Sequence, residues 1–423
     1  MDLGNAVISK DRYLSPGFLR QEFDHVWGRV WQMACREEDL PSVGDYLVYE
    51  IGTCSLLLVR CAPDRVKAFH NACLHRGRLL KEDAGSAQFI RCPFHAFTWN
   101  LDGSCRHITN DWDFPHLDKT QLSLPEAHVD RWGGFIFVNV SDEPEPLASY
   151  LEDLPEIYAT RGWDLGQRLK SVHVQKEHEC NWKVALEAFI ESFHVVATHP
   201  GAMTYLGDAF TQYDVWSDRR HYTRMISPRG IASPHVGKTM TEEDIYRAGT
   251  AGYGSASGDA KLPAGLTARQ AMADLKRKHL KIGYGVDVPD MTDTEALDTI
   301  QYHIFPNLVC WAGWGSFLVY RFRPHGTDPN RSTMEVFFLV PHDDDHPVEV
   351  ARKPHVLSAA QSHHDAPELG PFAAVFDEDL SNLPQIQRGL AAMKGPGINL
   401  GRYEEMRIRF FHGRIDDYIA GRA

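Results

Sequence analysis

Two short Cys/His pairs constrain this chain most: Cys73-Leu-His75 and, after a sixteen-residue spacer, Cys92-Pro-Phe-His95. Each pair offers one thiolate and one imidazole, so two loop tips facing each other supply two sulfur and two nitrogen ligands. That donor set suits a [2Fe–2S] centre with one iron held by cysteines and the other by histidines. A structural Cys2His2 zinc site uses the same donors. Zinc pairs, however, usually leave two or more residues between ligands, and Cys73-x-His75 leaves one.

A second constellation follows about a hundred residues later. Asn181-Trp-Lys183 leads into Glu187-Ala-Phe-Ile-Glu191-Ser-Phe-His194-Val-Val-Ala-Thr-His199-Pro200. Two histidines close in sequence, with one distant carboxylate, would make the facial triad of a non-haem Fe(II) oxygenase. At helical spacing Glu187, Glu191 and His194 share a face, but His194 and His199 point about 140° apart. For both to hold one ion, the helix must end or be wound differently between them. Pro200 marks where a helix stops, so a distorted helix end is expected at 194–199.

Along the chain, a helix begins near Pro16, with Phe18, Phe23, Val26, Trp27, Val30 and Trp31 spaced for a buried face. Short β-rich runs at 46–49, 55–59, 89–91 and 135–140 suit a small antiparallel domain holding the two loop tips. Further strands are expected at 172–177, 209–215, 221–226, 299–305, 316–323 and 334–340. The segment 249–258 reads as a mobile loop, and Thr267 with Gln270 as a capping box opening a helix. The groups around Asp343–Asp345 and His363-His364-Asp365 read as exposed turns, and 403–418 as a terminal helix. The domains expected are an N-terminal helical segment (1–40) packing on the catalytic domain, a β domain (41–150) and a mixed α+β domain (151–423).

The net charge of −13 argues against nucleic-acid or anionic-membrane partners. No apolar run reaches transmembrane length, and Met1-Asp-Leu-Gly-Asn lacks the basic and apolar regions of a signal peptide. Eight cysteines, six of them scattered outside the motifs, make no disulfide framework. A reducing, cytoplasmic compartment is the expectation.

The two motifs together resemble the alpha (catalytic) subunits of Rieske-type non-haem iron ring-hydroxylating oxygenases, over nearly the whole chain. The family's C-x-H…C-x-x-H pattern is met by Cys73, His75, Cys92 and His95, and its acid-x-x-H-x4-H pattern by Glu191, His194 and His199. The resemblance implies a small all-β Rieske domain followed by a helix-grip (START-like) α+β catalytic domain with an antiparallel sheet. Glu191 then bridges a cluster histidine of one subunit to an iron-ligand histidine of its neighbour. It stands where Asp is commoner, which is similar to the subgroup acting on quaternary amines. Glu378-Asp379 matches the family's downstream acidic pair and implies Asp379 as third iron ligand, with Asp377 the competing residue. Ala96 replaces the family's glycine and is expected at negative φ. Phe94 lacks the hydroxyl of the usual tyrosine, which should lower the cluster potential somewhat.

Implied cofactors are a [2Fe–2S] cluster and mononuclear Fe(II), with O2 as co-substrate and electrons from NAD(P)H through a separate reductase, with or without a ferredoxin. The implied assembly is a homotrimer, with a beta subunit left open. The activity implied is hydroxylation of an aromatic or hydrophobic small molecule by mono- or dioxygenation. Oxidative N- or O-demethylation and quaternary-amine monooxygenation are the family alternatives; a Rieske electron carrier without oxygenase activity and a zinc-stapled binding protein are readings of other classes. Phe189, Phe193, Tyr205, Phe305, Trp311, Trp314 and Phe317 are the candidate pocket residues.

Overall fold

The computed structural model describes residues 2–251 and 261–423. The chain divides into two compact units: Phe23–Ser149, and Met1–Glu22 together with Tyr150–Ala423. The expected 1–40 helical segment is therefore split. Pro16–Glu22 is helical and Phe23–Trp27 continues as a wide π turn, but Gln32–Arg36 is a fully buried strand paired with Phe135–Asn139. A run buried on both faces lacks the alternation that marks a strand in sequence.

In the smaller unit, seven strands form one sheet, with Cys54–Ala62 between Asp45–Ile51 and Arg65–His70 near one end. A three-stranded sheet of Ile90–Arg91, Thr98–Trp99 and Cys105–His107 supports the second Cys/His loop. Leu57, Val59, Phe69, Leu80, Phe97 and Trp99 pack in one buried cluster with Cys73 and Cys92, so both sulfurs sit at the rim of a hydrophobic core.

The larger unit is built on an eight-stranded sheet. Its strands run in the order Gln212–Asp214, Tyr222–Ser227, Thr299–Ile304, Leu308–Ala312, Leu318–Pro324, Ser332–Pro341, Arg168–His178 and His355–Leu357. All neighbours pair antiparallel except the last, which is parallel, so the sheet is mixed at that edge. Arg168–His178 alternates buried with half-buried residues along its whole length. Leu308–Ala312 is buried throughout, and its sequence gives no alternation to read. Thr267 caps the helix Ala268–Tyr284 through the reciprocal bonds with Gln270. Within the expected 249–258 loop, 249–251 ends the helix Glu242–Ala251, and the rest lies outside the described residues. The Asp343 turn is closed by His346. His363 departs from its expected exposure: its ring is buried against Phe376 and its Nδ1 lies 3.1 Å from Asp377. Among the described residues no helix is long and apolar enough to cross a membrane.

One fully buried ion pair ties the N-terminal helix to the larger unit. Lys183 Nζ donates to Glu22 Oε2 at 2.9 Å, and Trp182 Nε1 donates to the same oxygen at 3.3 Å. Removing one partner of such a pair strands the other charge in low dielectric. Lys183→Met should cost about 3–5 kcal/mol of unfolding free energy in urea titrations, and adding Glu22→Leu should restore most of it. A cost for the single variant below about 1 kcal/mol would show that the pair is not holding this helix.

Candidate active site

The two Cys/His loops close in the same way. Cys73 N donates to Arg78 O and Gly77 N to Cys73 O; Cys92 N donates to Phe97 O and Ala96 N to Cys92 O. Gly77 and Ala96 each stand four residues after the cysteine, and both are left-handed, at φ 72° and 61°. The expectation of negative φ at Ala96 is thus overturned: the loop geometry imposes the conformation, and the alanine Cβ bears a strain of about 1–2 kcal/mol.

Between the loops, the His75 and His95 rings approach to 4.7 Å, and His75 stacks on Phe97 at 4.8 Å. Burial, opposed by N–H groups of His75 and Arg76, raises the Cys73 thiol, and the neighbouring Cys92 raises it further. The Nδ1 of His75 is buried without a hydrogen-bond partner. Two adjacent sulfurs, two adjacent imidazoles and one orphaned ring nitrogen fit a [2Fe–2S] cluster of mixed ligation. Phe94 is exposed, with its ring 3.8 Å from that of His95.

The second site lies in the larger unit. The helix Trp182–Glu187 is N-capped by Asn181, whose Oδ1 accepts from Lys183 N. The chain then leaves the helix across 188–194, and a short turn of helix, Val195–Thr198, separates the two histidines. Expected helical alignment of Glu187, Glu191 and His194 therefore fails, because the helix breaks before His194 as well as ending at His199. Glu187 instead meets Tyr13 and His412. Buried side chains from distant elements satisfy the broken backbone: Gln301 Nε2 donates to Phe189 O, Arg407 Nη1 to Ile190 O, and Ser192 N to the Tyr213 hydroxyl oxygen.

Opposite stands the helix Phe372–Ala392, whose buried face carries Phe376, Asp379, Leu383, Gln387 and Leu390. Gln387 Oε1 accepts from Asn181 N at 3.0 Å, tying the start of the first helix to the C-terminal half of the second. One oxygen of Asp379 lies 2.9 Å from His199 Nε2 and 3.4 Å from His194 Nε2. Ligand atoms of His194, His199 and Asp379 all fall within 4.8 Å of one another, a grouping that can hold one metal ion. Each imidazole is oriented by a second acid: His194 Nδ1 lies 2.6 Å from Glu191, and His199 Nδ1 2.6 Å from Glu378. Such partners fix the tautomer and raise ligand basicity. Asp377 is held elsewhere, by Ser362, His363 and His364. Glu378 matched the family's acidic pair in the sequence, but its contact with His199, 179 residues away, was not readable there.

Burial disfavours protonation of His194, yet the hydrogen bonds to Asp379 and Glu191 outweigh it and raise its pKa to about 10. His199 is raised by the same carboxylate, while Asp379 is lowered despite burial because both imidazoles face it. In the metal-free protein the His194 contribution to stability is complete below its usual 6.5 and disappears as pH rises through about 10.

A cavity of about 650 Å³ opens beside this triad. Of the expected pocket residues, Phe189, Tyr205, Trp311 and Phe317 line it. Phe193 is exposed, Phe305 stacks on Tyr418 in the core, and Trp314 lies under the Arg168 guanidinium. Sequence reasoning missed Phe372 and Phe376, although both precede Asp379 at helical spacing, and also Tyr320, Arg229 and Lys276.

A family model described as Ring hydroxylating alpha subunit (catalytic domain) matches residues 167–421, and the Rieske [2Fe-2S] domain model matches residues 30–116. The chain belongs to the ring-hydroxylating alpha-subunit family, whose cofactors are a Rieske [2Fe–2S] cluster and a mononuclear iron. The carnitine monooxygenase oxygenase subunit of Escherichia coli K12 is 29% identical over 198 residues, covering 45% of this chain and 51% of that protein. The glycine betaine monooxygenase oxygenase subunit of Chromohalobacter salexigens is 32% identical over 207 residues, covering 48% and 43%. The match thus spans about half the length of these curated relatives. A solved quaternary ammonium Rieske monooxygenase superposes with TM-score 0.69 at 18% identity, covering 98% of this chain and 96% of that one. Naphthalene 1,2-dioxygenase with indole bound superposes with TM-score 0.69 at 16% identity, covering 100% and 94%. These two share the fold.

Two outcomes follow for the site. Iron(II) added to metal-free protein at pH 7 should release about one proton or more per ion, measured by calorimetry in buffers of different ionisation heat; uptake without release would show neutral imidazoles in the empty site. Arg407→Met should destabilise the protein by about 2–4 kcal/mol and lower bound mononuclear iron, because Ile190 O and Gln301 Oε1 lose their buried donor. Full iron content in that variant would show that the 188–194 segment holds its shape unaided.

Proposed function

We propose that this chain is the oxygenase component of a Rieske non-haem iron system, hydroxylating an aromatic or other hydrophobic small molecule with O2. The observation that carries this reading is the convergence of His194, His199 and Asp379 on a cavity walled largely by aromatic rings. Cys73, His75, Cys92 and His95 hold the cluster, and the triad holds the iron. When bound, these groups supply single electrons and the activation of O2 that a protein side chain cannot provide.

The remaining work belongs to the chain's own residues. Glu378 and Glu191 keep the two rings aimed at one point through their Nδ1 contacts. His194, His199 and Asp379 would hold the iron, and the cavity they line would give O2 and substrate access to it. Phe189, Trp311, Tyr320 and Phe376 surround that space with apolar surface and limit water. Glu191 additionally serves as the hydrogen-bonded bridge to a cluster histidine of a neighbouring subunit, in a ring of three. A reductase drawing on NAD(P)H, with or without a ferredoxin, delivers the electrons. A Rieske electron carrier alone would have no use for a buried triad opening on a cavity.

A second reading, monooxygenation or demethylation of a quaternary amine, is favoured by Glu191 in place of the commoner aspartate and by the carnitine and glycine betaine enzymes among the relatives. Aromatic walls also suit a cationic headgroup.

His194→Ala should abolish substrate-coupled O2 consumption while leaving the visible and paramagnetic signature of the cluster intact. Turnover surviving that change would refute the iron-site assignment. Glu191→Ala, measured with excess iron(II) so that the mononuclear site is filled, should slow reoxidation of the reduced cluster about 10–100-fold; an unchanged rate in a stopped-flow measurement would remove the bridge role.

A further inference from the structure

The floor of the cavity is one face of the eight-stranded sheet, and the strand register divides that floor into two sides. Met225, Gln301 and Trp311 stand opposite one another on neighbouring strands, with Ser227 opposite Thr299 in the next row. All five line the cavity. Beyond them Leu318 pairs with Phe338, and Val340 follows on the same face. Phe372 and Val375 close over this second side from the helix Phe372–Ala392, with the Phe338 and Phe372 rings 5.4 Å apart. The first side is thus largely polar and the second apolar. From the strand of Thr299 to that of Phe338 is three strand steps, about 14 Å.

Two donors on the polar side lack acceptors. Trp311 Nε1 is buried without a hydrogen-bond partner, and an indole N–H can only donate. The second follows from counting protons. Ser227 Oγ lies 2.8 Å from Thr211 Oγ1 and donates to Ser192 Oγ at 3.3 Å. Each hydroxyl carries a single proton. Ser227 gives its own to Ser192, so Thr211 must donate to Ser227, and the Ser192 proton is left over. Among the described residues Ser192 Oγ makes no other hydrogen bond, and Ser192 lines the cavity. A buried donor without an acceptor is unfavourable, and a ligand oxygen removes the deficit. Arg229 and Lys276 also line the wall, and both have partners elsewhere in the protein.

The triad stands where the two sides meet. Gln301 Nε2 donates to Phe189 O and Ser227 to Ser192, which fixes the histidine-bearing segment over the polar side. Asp379 comes from the helix over the apolar side, just after Phe376, whose ring lies 6.0 Å from that of Tyr320.

We propose that the substrate is an uncharged amphipathic molecule longer than a single ring. Its oxygen acceptor (a carbonyl, ether or hydroxyl) meets the donors of the polar side, and its hydrocarbon part lies between Leu318, Phe338 and Phe372. The middle of the molecule then passes the triad. The assignment rests on the oxygenase reading for the fate of that middle; the binding step does not.

Equilibrium dialysis of the oxidised holoenzyme with four probes of similar shape tests this: 2-acetylnaphthalene, 2-isopropylnaphthalene, 2-naphthoate and 2-naphthyltrimethylammonium. The ketone should bind at least about fivefold more tightly than each of the others, the scale of one buried hydrogen bond. Ser192→Ala and Trp311→Phe should each weaken the ketone about three- to tenfold and leave the hydrocarbon within about twofold, which also reports that the variants are folded. The proposal is overturned if the hydrocarbon or either charged probe binds as tightly as the ketone, or if ketone affinity survives both substitutions. It is equally overturned if the substitutions weaken ketone and hydrocarbon alike, or if the ketone fails to bind at the limit of its solubility. Ketone selectivity in a cluster- and iron-replete enzyme that forms no oxygenated product with a reductase would support the pocket assignment and count against the oxygenase reading.

Discussion

A carboxylate on the buried stripe of a helix must be met by positive charge, and Asp379 sets that demand for the larger unit. It shares its face with Phe376, Leu383 and Leu390 and is almost inaccessible to water. Protonated imidazoles or a metal ion can answer it, and here His194 and His199 both face one oxygen. Because His194 and His199 lie five apart, a continuous helix cannot deliver them to one point. The chain therefore breaks at 188–194, and the break exposes backbone groups that must find partners inside the protein. Gln301, Tyr213 and Arg407 supply them, which explains polar side chains buried in a sheet and a terminal helix otherwise filled with apolar ones. One buried charge thus accounts for a local distortion and for three distant polar residues.

The smaller unit obeys a similar logic with sulfur. Cys73 and Cys92 lie within the hydrophobic cluster, while His75 and His95 remain half-buried at the loop tips. Burial holds the sulfurs in a water-poor setting, and the closure of the first loop aims the His75 and Arg76 N–H groups at Cys73. Both loops need a left-handed residue four places after the cysteine. Gly77 adopts it freely, and Ala96 adopts it under strain, since the hydrogen bonds closing the loop leave no alternative.

Much of this was legible before any coordinate. The short Cys/His spacings and the His194/His199 pair are local, and local patterns carry chemistry directly. The capping box at Thr267 and the strand at 172–177 were likewise readable, because each depends on neighbours within a few residues. What escaped was non-local or doubly buried. Gln32–Arg36 and Leu308–Ala312 lack alternation, having no solvent face. Glu378 could not be matched to His199 because the two are far apart in sequence. Phe193 and Phe305 read as pocket residues because their rings suit an apolar cavity, although one is exposed and the other belongs to the core. Asp379 could be separated from Asp377 by helical phase alone: it continues the Phe372, Phe376 stripe, whereas Asp377 is turned towards Ser362 and His363.

The charge pattern of the cavity follows from the same constraint. Every acid among the described residues lining it is engaged in orienting or facing an imidazole. Aromatic rings by themselves do not choose, since they stack on neutral rings and also attract cations through their faces. Here Lys276 and Arg229 occupy the faces of Phe317 and Trp311. A ring face already engaged by a side-chain cation is a poor site for a second one.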